Sequence, residues 1–75
     1  MNKPLFYQIR IAGQLDSGWS DWFDGFTVTP QPNGETTITG PVRDQAELSG
    51  VLNKLFGLNL TVLDIRRIAP PEEAN

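Results

Sequence analysis

With 75 residues, six of them basic and nine acidic for a net charge of −3, the chain is long enough for one small domain and too short for two. It contains no cysteine and no histidine, which excludes disulfides, thiolate chemistry and the commonest general base and transition-metal ligand. The acidic balance offers no footprint for a phosphate backbone and no apolar run reaches membrane-spanning length, so neither a nucleic-acid nor a membrane partner is expected.

The opening MNKPLFYQIR has no signal-peptide core and no lipidation pattern, and the expectation is a soluble cytoplasmic protein. From Leu5 to Leu15 the residues alternate, with Tyr7, Ile9 and Ile11 on one side and Gln8, Arg10 and Ala12 on the other. That period of two predicts a strand with one buried face, ended or bulged at Gly13. The next segment breaks the alternation. Asp16 or Ser17 is placed to cap a single helical turn in which Trp19, Trp22 and Phe23 share a face, and the Asp24–Gly25 pair favours a turn with positive φ.

Phe26–Pro30 and Glu35–Gly40 read as two short, threonine-rich strands around Pro32, Asn33 and Gly34. Parity sets their register. If Val28 and Ile38 both face the core they must lie opposite one another, because directly opposed residues share a face. That requires a three-residue loop, with a type I turn and Gly34 in the left-handed bulge position. The same register lays Phe26 over Gly40.

Beyond Pro41 the period becomes helical. Asp44 is the N-cap, with Glu47 three residues on. Leu48, Val51, Leu52 and Leu55 form a stripe that Phe56 extends, Gly57 is the expected left-handed cap, and Leu58 its hydrophobic contact. Leu60–Ile68 reads as a last strand, with Leu63 and Ile65 inward and Val62, Asp64 and Arg66 outward. Leu60 and Ile68 fall on the other parity, which leaves room for a bulge or for burial on both faces. Residues 1–69 are expected to form the domain, and 70–75, starting with Pro70 and Pro71, a flexible tail.

The predicted fold is α+β: a two-layer sandwich of a four-stranded, mainly antiparallel sheet with one helix, in the order β-β-β-α-β, with an irregular WSDWF turn after the first strand. The first three strands are expected as a meander, with the helix carrying the chain to a fourth strand beside the first. The alternative is a reduced ferredoxin-like βαββαβ in which the WSDWF turn stands for the first helix.

Little in this chain suggests catalysis. Asp16, Asp21 and Asp24 lie close in sequence, but their spacing matches no calcium loop, and turn aspartates ordinarily cap backbone groups. No phosphate loop or catalytic triad pattern is present. The expectation is a non-enzyme without cofactor or metal. Two surfaces remain as candidates. Trp19 and Trp22 offer an aromatic platform, although Trp22, Phe23 and Phe26 are also what would plug the end of so small a core, which leaves Trp19 as the more open question. The second candidate is the sheet face away from the helix, with Gln8, Arg10, Thr37, Thr39 and Arg66. It would serve as a protein-interaction surface or as the seat of a homodimer; Arg10, Arg66 and Arg67 would form a small acid-binding patch if the first and last strands are neighbours, although only Arg10 and Arg66 look outward on the same face. A Trp-lined pocket for a small ligand is the alternative function.

The segments WSDWFDGFTVT and ITGPVRDQAELSGVLNKLFGLNLTVLDIRRI resemble a family of small bacterial proteins, known as short open reading frames and without an assigned activity. In that family a strand is followed by a WxxWFDG segment, a GPxxDQAxLxGLL helix start and a closing hydrophobic strand. The resemblance runs from about Tyr7 to Ile68. Where the family pattern often carries a histidine, this chain has Ser49. The resemblance implies that WFDG and DQA belong to one recurrent fold, and it supplies no activity.

Overall fold

The computed structural model describes residues 5–23 and 25–69; the expected tail 70–75 and Asp24 lie outside the described residues. The alternation of the first strand becomes β1 (Leu5–Ala12), ended by Gly13 at a φ of 94°. A 3₁₀ turn, Ser17–Asp21, follows, capped by Asp16, whose carboxylate accepts from the Gly18 N–H. Then come β2 (Thr27–Pro30), β3 (Glu35–Val42), α1 (Gln45–Gly57) and β4 (Thr61–Ile68). The sheet has four antiparallel strands in the order β2-β3-β1-β4, an α+β fold in which α1 is the one α-helix among the described residues and lies on one side.

The meander is not formed, because β3 and not β2 lies beside β1. β1 and β2 therefore run parallel with β3 between them, and β3 and β4 run parallel with β1 between them, the interleaving of the ferredoxin-like alternative. Two physical reasons favour it. The connection from Gly13 to Phe26 is longer than the dozen residues a crossover needs, and length rather than helix content sets its reach. In addition, β3 matches all eight residues of β1, from Leu5 opposite Val42 to Ala12 opposite Glu35, whereas the four residues of β2 would leave half of that ladder unmade.

The β2–β3 hairpin has the expected register, with Val28 opposite Ile38. The Gln31 N–H donates to the Glu35 carbonyl at 2.8 Å, which closes a loop of Pro32, Asn33 and Gly34 with Gly34 at a φ of 87°. A Cβ built on Gly40 would stand 2.6 Å from Cγ and Cδ2 of Phe26, so the ring does cover that backbone.

The core consists of Ile9 and Ile11 from β1, Val28, Ile38 and Val42 from β2 and β3, Val51 and Leu55 from α1, and Phe23 and Phe26 from the segment before β2. Thr36 is buried with them. Its hydroxyl donates to the Gly13 carbonyl at 2.8 Å and accepts from the Leu15 N–H at 2.9 Å, tying β3 to the chain that leaves β1.

The helix begins as its capping residues dictate. Asp44 Oδ1 accepts from the Glu47 N–H at 2.9 Å, and Glu47 Oε1 from the Arg43 N–H at 2.7 Å. It ends differently from the expectation. Gly57 is still helical, and the left-handed residue is Asn59 at a φ of 62°. The Leu60 N–H reaches the Leu55 carbonyl and the Asn59 N–H the Phe56 carbonyl, a Schellman ending displaced by two residues, with Leu60 rather than Leu58 as its hydrophobic partner. Phe56 does not extend the buried stripe: it is 58% exposed, on the flank of a helix whose Val51 and Leu55 already fill the space above the sheet.

β4 is corrected by a bulge. Arg10 lies opposite Asp64 and Ile11 opposite Val62, so Leu63 has no partner on β1. Past the bulge Val62 turns inward and packs against the core with Leu60, contrary to its expected outward position. Leu63, expected inward, is 43% exposed; Ile65 shares a face with Ile9 but lies on the sheet's edge strand and is 39% exposed.

Candidate functional site

The strand registers decide which side chains meet on the face opposite α1. β1 alternates, so with Ile9 and Ile11 in the core, Gln8 and Arg10 point the other way. Gln8 is opposite Thr39 on β3 and Arg66 on β4; Arg10 is opposite Thr37 and Asp64. β2 continues both lines, with Thr27 opposite Thr39 and Thr29 opposite Thr37. Two rows thus cross the sheet, Thr27–Thr39–Gln8–Arg66 and Thr29–Thr37–Arg10–Asp64. All five expected face residues, Gln8, Arg10, Thr37, Thr39 and Arg66, lie in them.

The charges on this face are paired within the chain. Arg10 Nε lies 3.4 Å from Glu35 Oε1, and Arg66 Nε 2.9 Å from Asp64 Oδ2. β1 and β4 are indeed neighbours, yet Arg67 lies opposite Tyr7, on the helix side of the sheet, and does not join Arg10 and Arg66. The face therefore presents hydroxyl, amide and neutralised ionic groups rather than a cationic patch. At one end it turns apolar: Phe6 lies between Pro41 and Ile68, and all three are half-buried. The sequence reading missed this row. Its signal was the parity of Phe6, two residues before Gln8 and so on the same side.

The tryptophan corner departs from the expectation at Trp22 alone. Phe23 and Phe26 are buried and plug the end of the sandwich, whereas Trp22 is 51% exposed and Trp19 is half-buried against the core. The N–H groups of Trp22 and Phe23 both reach the Trp19 carbonyl, at 3.0 and 3.3 Å, and at the end of this turn Trp19 and Phe23 pack toward the core while Trp22 is left facing outward. The indoles meet edge to face, with centroids 6.3 Å apart at 84°. Lys54 on α1 holds the corner: its Nζ donates to the Trp22 carbonyl at 3.1 Å and lies 5.8 Å from the centroid of that ring.

Beside the corner runs a groove of about 460 Å³, with Phe23, Phe26, Pro41 and Val51 as apolar lining and Arg43, Glu47 and Lys54 at its polar side. Neither indole lines it. Arg43 Nη2 lies 3.5 Å from Glu47 Oε2, and Lys54 is engaged by Trp22. Of the three turn aspartates, Asp16 is the cap of the 3₁₀ turn, and among the described residues no three His, Cys, Asp or Glu side chains gather in a metal-binding group. Among the same residues no helix is long and apolar enough to cross a membrane.

The model of a family described as a domain of unknown function (DUF8691) matches residues 6–66. No curated protein and no solved structure matches the chain.

Proposed function

Since the chain belongs to the DUF8691 family, we propose that this member is a non-enzymatic protein-interaction module, working as a homodimer in the cytoplasm and offering its open sheet face to a partner protein. One observation carries the reading: Gln8, Arg10, Thr37, Thr39 and Arg66 stand in two in-register rows on the face that α1 does not cover. Neutralised charge with many hydrogen-bonding groups suits a protein surface better than a polyanion. Affinity capture from host lysate, quantified for the wild type, the Arg10→Glu/Thr37→Glu variant and Trp22→Ala, tests it. The reading expects a defined protein that the face variant loses and Trp22→Ala keeps. A binding profile indifferent to the face variant refutes it.

The groove beside the corner favours a second reading, a small-ligand binder. Its apolar lining by Phe23, Phe26, Pro41 and Val51, beside Lys54, suits a small apolar ligand. Binding there would disturb Lys54 and so change the fluorescence of Trp22; a metabolite panel that leaves the emission unchanged refutes this reading.

A further inference from the structure

The two edges of the sheet are protected unequally. β2 is four residues long, ends in Pro30 and is flanked by the 3₁₀ turn, all features that discourage pairing with another chain. β4 is eight residues long and has no proline, and it carries Leu63 and Ile65, both substantially exposed. Among the described residues no strand lies beside its outer row of backbone donors and acceptors.

We propose that β4 pairs antiparallel with β4 of a second copy about a two-fold axis through Ile65, joining two four-stranded sheets into one of eight. This rests on the self-association in the reading above and says where the copies meet. The register follows from parity and charge. A two-fold axis normal to the sheet keeps the open faces on one side, so each residue must oppose a residue of its own parity. Centring on Asp64 sets it against Asp64 of the second copy, and centring on Arg66 sets two arginines together; like charges directly opposite are unfavourable. Centring on Ile65 places Asp64 opposite Arg66 of the second copy, and Arg66 opposite its Asp64. Because Arg66 already pairs with Asp64 along its own strand at 2.9 Å, the four charges form a square with alternating signs. On the helix side the two Ile65 side chains cover one another. The bulge at Leu63 limits the ladder to the residues around this centre. The open faces then merge into a single platform twice as wide.

The chain has no cysteine, so one engineered thiol reports the contact without ambiguity. Ile65→Cys is expected to give a disulfide-linked dimer under mild oxidation, and Thr37→Cys, in the middle of the open face, is not. Asp64→Arg and Arg66→Asp each place like charges opposite in their own homodimers and are expected to weaken dimerisation about tenfold or more in sedimentation equilibrium. Mixed together they should form a heterodimer, since every opposed pair is again of opposite sign. Circular dichroism confirms that each variant is folded; should either fail to fold, the cysteine result decides. A protein that is dimeric as the wild type but cross-links as Thr37→Cys and not as Ile65→Cys overturns this interface and leaves the homodimer intact. Charge variants that dimerise as the wild type does also overturn it. A wild type that stays monomeric at high concentration removes the homodimer itself.

Discussion

Gly40→Ala tests the packing of Phe26 directly. Gly40 is buried in β3 and its φ is not left-handed, so alanine can adopt its backbone and any cost must be steric. The new Cβ would meet Phe26 Cγ and Cδ2 at 2.6 Å and Phe26 Cα at 3.0 Å, about 1 Å inside the ~3.5–4.0 Å optimum for carbon contacts. The close atoms belong to the inner part of the ring and to the backbone, so no rotation of a free end relieves them. Overpacking of this kind costs about 1–3 kcal/mol, and complete loss of a buried phenylalanine about 3–5 kcal/mol. Removing a glycine from the unfolded chain returns about 0.4–1 kcal/mol. The expected net loss is about 1–2 kcal/mol, a sizeable share of the roughly 4–11 kcal/mol usual for a domain of this size. The midpoint of thermal unfolding should fall by about 5–15 °C. Urea unfolding followed by far-ultraviolet circular dichroism measures the loss, and repeating the substitution in a Phe26→Ala background isolates the part due to the ring, since only the 3.0 Å contact with the Cα of residue 26 then remains and the cost should fall well below that in the wild-type background. A Gly40→Ala protein within about 0.5 kcal/mol of the wild type, or an equal penalty in both backgrounds, refutes the argument.

Other residues give independent tests. Thr36→Val keeps the shape but strands the Leu15 N–H and the Gly13 carbonyl; a loss of about 2–3 kcal/mol in chemical denaturation is expected, most of it absent in Thr36→Ser. Asn59 sits at a φ of 62°, so Asn59→Ala should cost about 1 kcal/mol while Asn59→Gly is neutral or stabilising by a few tenths; an equal effect of the two would count against a Schellman ending there. Asp44→Ala removes the N-cap bond to Glu47 and should cost about 1 kcal/mol in the same assay. In single-tryptophan variants acrylamide should quench Trp22 more strongly than Trp19, and Lys54→Met should alter only the emission of Trp22; the reverse order of quenching would contradict the exposure of the corner.

Much of the candidate face was legible in the chain because a strand's alternation is a local property. Once Ile9 and Ile11 are inward, Gln8 and Arg10 must face outward, and the three-residue loop then aligns Thr37 and Thr39 with Thr29 and Thr27. Asp44 was likewise readable as a cap from its own neighbours. The tryptophan corner was not, because Trp19, Trp22 and Phe23 fall in one short turn and which of them is buried is set by the room left in the core, where Phe23 and Trp19 pack and Trp22 does not. The same holds for Phe56, whose place in a helical stripe says nothing about how much sheet lies beneath it.

The sequence by itself determined the elements, the faces of β1, β2 and β3, the hairpin register and the start of the helix, all of which depend on residues a few positions apart. Tertiary structure alone decided that β3 lies beside β1, that β4 bulges at Leu63 so that Val62 turns inward, and that the helix runs on to a left-handed Asn59. Those choices are made through space. A strand takes the neighbour that completes the longest ladder, and a helix ends where its last apolar side chain can still be buried, neither of which is written in local periodicity.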